Sequence, residues 1–135
     1  MIRYLADTNV LGYFVRNTHA SLRQRMHLAL KKQELAISVI TRAEARYGLA
    51  LLQSNDKRRS SIDLLLQEIP ALHWTTAAAD CYGEIAAQLQ QVGRPIGVMD
   101  TLIAAHAIVT GLTLVTHNTR HFERIPELKL EDWTN

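Results

Sequence analysis

Three acidic residues lie where one predicted element of secondary structure gives way to the next. Asp7 follows a short apolar run, Glu44 lies near the start of a helix after a second such run, and Asp100 begins a strongly apolar helix. An unpaired buried carboxylate is very costly, and no lysine or arginine stands in sequence beside all three acids. Carboxylate oxygens suit Mg²⁺ or Mn²⁺, so these residues predict a divalent-metal site.

The pattern of apolar residues predicts the elements that bring the acids together. It indicates strands at residues 2–6, 35–38, 71–74 and 112–116, separated by helices at 9–16, 21–32, 39–52, 56–67, 75–92 and 101–109. Strands joined by helical crossovers predict a parallel sheet covered on both faces, a three-layer α/β/α fold. In such sheets, functional side chains gather beyond the carboxyl ends of the strands.

Each of the three acids, taken alone, is also explained as a helix cap or as a charge that interacts favourably with a helix dipole. This alternative explains poorly why three acids lie at one edge of the sheet.

In the helix that carries Glu44, helical spacing predicts an apolar stripe towards the core, formed by Ile40, Ala43, Tyr47, Ala50 and Leu51.

Composition predicts one globular domain over residues 1–135, because 47% of the residues are hydrophobic and 21% are charged. No apolar run approaches the ~20 residues that cross a bilayer, and Asp7 interrupts the first run before a signal peptide could form. The one cysteine, Cys81, forms neither an internal disulfide nor a zinc cluster. We therefore expect a soluble cytoplasmic protein with no membrane partner.

Positive charge is concentrated in the first half of the chain. Residues 1–68 contain eleven lysines and arginines against six acids, a net charge of +5, whereas residues 69–135 contain four against seven, a net charge of −3. These numbers allow a polyanion-binding face in the first half and exclude a basic coat over the whole surface.

Four segments of the chain, in this order, resemble PIN-domain ribonucleases, and among these the VapC-type toxins of bacterial toxin–antitoxin pairs. The segments are LADTN at residues 5–9, RAEARYG at 42–48, GRPIGVMD at 93–100 and LVTHNTRHF at 114–122. The resemblance spans residues 3–133. It implies a PIN-like fold with a central parallel sheet of four or five short strands, and a metal-dependent endoribonuclease that uses Mg²⁺, with Mn²⁺ as a substitute.

The resemblance also implies roles for individual residues. Asp7, Glu44 and Asp100 would be the catalytic acids and metal ligands, with Thr116 and Asn118 beside them. Many PIN domains have a fourth acid where this chain has Asn118, which offers only an amide oxygen. Thr8 is expected either to cap the first helix or to support Asp7.

The same resemblance implies the chemistry and the substrate class. A bound divalent ion would neutralise the charge that builds up during phosphodiester hydrolysis and would lower the pKa of a coordinated water. The substrate would be a structured RNA, with transfer RNA, including the initiator, as the leading candidate. Arg94, His117 and Arg120 could contact RNA phosphates, and each is equally explained as a solvated turn residue.

A toxin of this type implies a small cognate antitoxin (VapB-like), and the family implies a homodimer and a larger toxin–antitoxin complex. The early helices and the Glu44 helix carry more apolar residues than one core-facing stripe needs, among them Leu11, Phe14 and Leu52. We expect these residues to line a groove beside the acids for an amphipathic antitoxin segment. Packing against a second copy of the chain is the alternative.

Two other functions are compatible with acids at a sheet edge. A magnesium-dependent, receiver-like phosphotransfer domain needs an acidic pair at the first strand and a late lysine near the site, whereas this chain has only Asp7 there and its last lysine, Lys129, follows the final motif. A non-catalytic RNA-binding module would not need all three acids. Incubation with RNA in the presence of Mg²⁺ or EDTA separates these alternatives.

Overall fold

A five-stranded, all-parallel sheet forms the centre of the molecule in the order β3-β2-β1-β4-β5. The computed structural model describes all 135 residues. The strands are β1 (Tyr4–Ala6), β2 (Leu35–Ser38), β3 (Ala71–Leu72), β4 (Thr113–Val115) and β5 (Leu130–Glu131). The helices are α1 (Thr8–Arg16), α2 (Ala20–Lys31), α3 (Val39–Leu51), α4 (Lys57–Glu68), α5 (Thr76–Gln91), α6 (Val98–Thr110) and α7 (Thr119–Phe122).

The central strand β1 divides the hydrophobic core into two layers. Successive strand side chains point to opposite faces, so Tyr4 and Ala6 pack with the core of α1, α2 and α4, while Leu5 packs with that of α5 and α6. Solvent does not reach β1 on either face, since Leu5 and Ala6 are completely buried. Burial on both faces explains why the strands are continuous apolar runs without alternation.

Each crossover helix that starts after a strand has its N-terminus at the carboxyl edge of the sheet. The side chain of Asp7 caps α1 directly after β1, and Ser38 caps α3 directly after β2. Gly97 precedes α6 with φ at 97°, a conformation that L side chains rarely adopt. These starts place Asp7, Glu44 and Asp100 at one edge of the sheet.

A buried histidine ties together the two helices that carry Glu44 and Asp100. The Nδ1 atom of His106 on α6 lies 2.8 Å from the hydroxyl of Ser38, and this hydroxyl accepts a hydrogen bond from the backbone N–H of Ile40 at 3.0 Å. Burial lowers the pKa of His106, while a hydrogen bond to the backbone of His73 opposes the shift. The neutral ring therefore fixes the start of α3 against the middle of α6.

The strand–helix order predicted from the sequence is confirmed through β4, with the strands somewhat shorter than predicted. Two short elements, α7 and β5, were not among the predicted segments. The predicted apolar stripe of α3 is confirmed at Ile40, which packs against the core, and is wrong further along the helix. Tyr47 and Leu51 are 68% and 69% exposed, and Ala45 packs against the core instead. None of the helices is both long and apolar enough to cross a membrane.

Candidate active site

Asp7 is a buried carboxylate at the carboxyl end of the central strand. Its side chain is 4% exposed, and Oδ1 accepts a hydrogen bond from the backbone N–H of Val10 at 2.9 Å. The backbone N–H of Asp7 donates to the carbonyl of Val115 at 3.0 Å, so the residue is fixed to β4 as well as to α1. Both of these hydrogen bonds join Asp7 to backbone groups, one in α1 and one in β4.

The surroundings of Asp7 disfavour its negative charge. Burial is the main cause that raises the pKa of this carboxyl to about 6. Hydrogen bonds from the Thr116 hydroxyl and the Val10 N–H lower the pKa, and the negative charges of Asp100 and Glu44 raise it again. Asp100 and Glu44 are therefore close enough to Asp7 to repel its negative charge.

Glu44, on the second turn of α3, is held by Thr8. The Thr8 hydroxyl donates to Glu44 Oε1 at 2.6 Å. Thr8 is thus neither the cap of α1, since Asp7 is, nor a partner of Asp7, which corrects both expectations for this residue. The arginines that flank Glu44 in sequence turn away to α4: Arg42 donates to the carbonyl of Leu66, and Arg46 pairs with Asp63.

Asp100, in the first turn of α6, faces a histidine from α7. The Nε2 atom of His121 lies 3.3 Å from Asp100 Oδ2 and 2.7 Å from the carbonyl oxygen of Ile96. Asp100 and Ile96 therefore share the same ring nitrogen. Burial raises the pKa of Asp100, and the charge and hydrogen bond of His121 only partly offset this increase.

Thr116 and Asn118 close the site from the β4 side. Thr116 is completely buried, its hydroxyl lowers the pKa of Asp7, and this hydroxyl accepts a hydrogen bond from the backbone N–H of Asn118 at 3.0 Å. Asn118 itself is exposed, precedes α7 and makes no side-chain cap for it. Its amide is therefore free to contact a ligand.

The donor set at this edge fits a hard divalent cation. Asp7, Glu44 and Asp100 could supply carboxylate oxygens, and none of them forms an ion pair with a lysine or arginine. In the present side-chain positions no three acidic, histidine or cysteine side chains are close enough together to ligate one ion. Glu44 is hydrogen-bonded to Thr8, and Asp100 faces His121.

The residues predicted to bind RNA occupy different surroundings. Arg94 and Arg120 are exposed, and their side chains form no ion pair and no hydrogen bond within the chain. His117 lies two residues beyond β4 and contacts Asp132, with Nδ1 3.1 Å from Oδ2. His117 and Arg120 thus lie near Thr116, whereas Arg94 lies in the turn between α5 and α6.

An apolar groove of about 240 Å³ opens beside the acids between α1, α3 and α4. Thr8, Glu44 and two arginines, Arg16 and Arg58, lie in its lining together with apolar residues: Leu11, Val15, Ala45, Leu49, Leu52, Ile62, Leu65 and Leu66. Leu11 is only 5% exposed and belongs to its floor. Phe14 does not line the groove, contrary to the sequence prediction, because it packs edge-on against His27 of α2 at 5.0 Å.

Sequence reasoning missed two contacts that position the acids. The partner of Thr8 is Glu44, 36 residues away, and no periodicity predicts such a pair. His121 lies in the last of the four motif segments, but nothing in the sequence indicates that it stands beside Asp100. The short α7 that presents it has only four residues, too few for a helical pattern to be seen in the sequence.

Comparisons with known proteins converge on one family. The PIN domain family matches residues 4–128. The chain is 37% identical over 134 residues to the tRNA(fMet)-specific endonuclease VapC of Shigella flexneri, covering 99% of this chain and 100% of that protein. Its fold is similar to VapBC2 from Rickettsia felis bound to a DNA fragment from their promoter, with a TM-score of 0.88 and 36% identity. The match covers 98% of this chain and 99% of that chain. It is also similar to DNA-bound VapBC from Salmonella typhimurium, with TM-score 0.89, 34% identity and the same coverage.

The raised pKa of Asp7 predicts a specific pH dependence of stability in metal-free protein. Between about pH 4 and pH 6 the folded protein holds a proton that the unfolded chain has released, so the contribution of Asp7 to stability falls as the pH rises. Asp7→Asn removes the charge and keeps a capping side chain. In EDTA, we expect this variant to melt at a higher temperature than the wild type at pH 8, with no advantage near pH 4.

Thermal melts followed by circular dichroism across this pH range check the prediction. Asp80→Asn, a change at an exposed acid on α5, serves as the control. The difference in melting temperature between this variant and the wild type should not change with pH. A wild type as stable as Asp7→Asn at pH 8 would show that the buried charge carries no cost.

Proposed function

The chain belongs to the PIN-domain family and, within it, to the VapC toxin ribonucleases, and from this we propose that it cleaves structured RNA with the help of Mg²⁺. In this proposal residues 1–135 form one catalytic domain that acts in the cytoplasm as the toxin of a toxin–antitoxin pair. The observation that carries the proposal is the cluster of three carboxylates at the sheet edge, one of them buried, with no cationic side chain from α3 or α4 to neutralise it.

The three acids would hold the metal ion. Mg²⁺ takes few carboxylate ligands and retains several waters, which suits Asp7, Glu44 and Asp100, and Mn²⁺ takes the same ligands. When bound, the ion supplies charge neutralisation at the phosphate and a more acidic coordinated water. Thr116 and Thr8 orient Asp7 and Glu44 through their hydroxyls, and Asn118 offers an exposed amide at the same edge.

The substrate proposal follows from the relatives. The Shigella flexneri protein is named as specific for tRNA(fMet), the initiator transfer RNA, and the chain covers that protein completely. We therefore propose a transfer RNA substrate, with the initiator as the first to be tested. Arg120 and His117 lie beyond β4 near Thr116 and are the proposed RNA contacts at this edge, whereas Arg94 would reach the RNA from the turn before α6.

The partner proposal rests on the apolar groove between α1, α3 and α4. The solved relatives are complexes named VapBC, so we propose a VapB-like antitoxin whose amphipathic segment fills this groove. Because Glu44 belongs to the groove lining, an arginine of the antitoxin could pair with it and displace the metal. A homodimer within a larger complex completes the proposal, and exposed Val98 and Met99 at the start of α6 are available for such an interface.

We expect Asp7→Asn and Asp100→Asn to lower the rate of RNA cleavage by on the order of 100-fold or more, the loss seen when one group that stabilises transition-state charge is removed. Cleavage of purified transfer RNA in Mg²⁺ is followed on denaturing gels, with EDTA as the blank. Asp80→Asn, on the exposed face of α5, is the matched control and should cleave normally. Near wild-type cleavage by either active-site variant would refute the assignment of the acids.

We expect millimolar Mg²⁺ or Mn²⁺ to raise the melting temperature, since a ligand that binds only the folded state adds RT ln(1 + [L]/Kd) to its stability. The increase should be smaller in Glu44→Gln, which loses one charge of the set, and unchanged in the exposed control Glu84→Gln. A melting temperature that does not respond to Mn²⁺ would contradict a metal site at these acids.

We expect Leu49→Asp and Leu52→Asp to weaken capture of the co-expressed cognate antitoxin by at least about 30-fold, the loss typical of a central apolar interface residue. Leu64→Asp is the matched control, because Leu64 is 57% exposed on α4 outside the groove. Affinity purification of tagged toxin, with melting temperatures recorded in parallel, checks the prediction. Equal capture by all three variants would place the antitoxin elsewhere.

A further inference from the structure

Three rings from separate segments meet at the surface beyond β4. Tyr13 of α1 contacts His19 at a ring-centroid distance of 5.2 Å and His117 at 5.9 Å, both edge-on. The two histidine rings are 5.9 Å apart and tilted by 44°. These three residues, called the aromatic patch below, join the end of α1, the start of α2 and the segment after β4.

The ring orientations in the aromatic patch are fixed from one side. Nδ1 of His19 is 2.9 Å from the Thr18 hydroxyl, and Nδ1 of His117 is 3.1 Å from both Asp132 and the Thr134 hydroxyl. No group of the chain is hydrogen-bonded to Nε2 of His19, to Nε2 of His117 or to the Tyr13 hydroxyl. The His117 side chain is 50% exposed. The patch therefore offers free polar edges as well as accessible ring surface.

The aromatic patch adjoins the proposed catalytic edge. His117 directly follows Thr116, whose hydroxyl lowers the pKa of Asp7, and directly precedes the exposed Asn118. Tyr13 lies on the helix that Asp7 caps. An RNA strand with a phosphate at the acids would thus pass within a short distance of these rings.

The charge around the aromatic patch suits a nucleic acid. The Arg16 guanidinium lies 5.6 Å from the centre of the Tyr13 ring, is exposed and forms no ion pair. Arg120, three residues beyond His117, is also exposed and unpaired. The one acid in contact, Asp132, is partly buried and already accepts hydrogen bonds from Thr134 and His117.

We propose that the aromatic patch binds one unpaired nucleobase of the RNA substrate by stacking and by hydrogen bonds to its edge. This inference rests on the proposed ribonuclease function and adds a substrate subsite to it. Aromatic and histidine rings stack on bases that are splayed out of loops or single strands, whereas paired bases have both faces covered. The patch would therefore direct cleavage to unpaired segments, with Arg16 contacting a neighbouring phosphate.

The test compares binding of two probes to proteins that all carry Asp7→Asn, in EDTA, so that the RNA stays intact. The probes are a fluorescent single-stranded oligoribonucleotide and the same strand in a duplex. We expect Tyr13→Leu and His117→Ala each to weaken single-strand binding about tenfold, within the range of loss of one stacked base, and to change duplex binding little. Tyr13→Phe keeps the stacking ring and should lose less single-strand affinity than Tyr13→Leu, and the exposed His27→Ala on α2 is the histidine control.

Salt dependence separates stacking from phosphate contact. Tyr13→Leu should leave the slope of log Kd against log salt unchanged, whereas Arg16→Gln should reduce it by about one phosphate contact. Normal single-strand binding by both ring variants, or equal weakening for both probes, would overturn the inference. The proposed ribonuclease function is tested separately by cleavage with the wild-type protein, so its failure cannot be confused with failure of the patch.

Discussion

A buried carboxylate without a cationic partner is the constraint on which this site depends. Asp7 follows the central strand and caps α1, and these two local structures fix it beneath the carboxyl edge of the sheet. Burial, together with weaker repulsion from two further carboxylates, raises its pKa to about 6 despite the nearby hydroxyl and amide donors. The fold therefore carries an electrostatic cost at this edge, which a bound cation would offset.

The other two acids, Glu44 and Asp100, are held by side chains that do not neutralise the negative charge of the three carboxylates. Glu44 is held by the hydroxyl of Thr8, which is neutral, and the neighbouring arginines are used to fasten α3 to α4. Asp100 has one histidine, itself shared with the carbonyl of Ile96. An arginine in the place of either donor would form a stable ion pair and would compete with a metal ion. The absence of such a pair is what distinguishes this edge from an ordinary surface salt-bridge network.

The positions of the acids could be predicted from the sequence because they depend on local patterns. Apolar runs predict the strands, helical spacing predicts the crossovers, and the parallel sheet brings their ends together. The apolar stripe of α3 was predicted wrongly because the helix has apolar residues on more than one face, and only contacts with α1 and α4 decide which face is buried. The two-residue β5 exists through its pairing with β4, and the contact between Asp100 and His121 joins residues 21 positions apart in sequence, so neither leaves a local signal.

One helix connects the acids, the groove and the aromatic patch. The N-terminus of α1 is capped by Asp7, one side of the helix presents Leu11 and Val15 to the groove, and Tyr13 lies about 200° around the axis from Leu11 and faces the patch. A segment bound in the groove and a base bound at the patch would therefore contact opposite sides of α1 and share Arg16, which lines the groove and lies over the Tyr13 ring. A groove-bound partner would then act on the site through Arg16 and through the N-terminal end of α1, where Thr8 and Glu44 line the groove and Glu44 belongs to the acidic cluster.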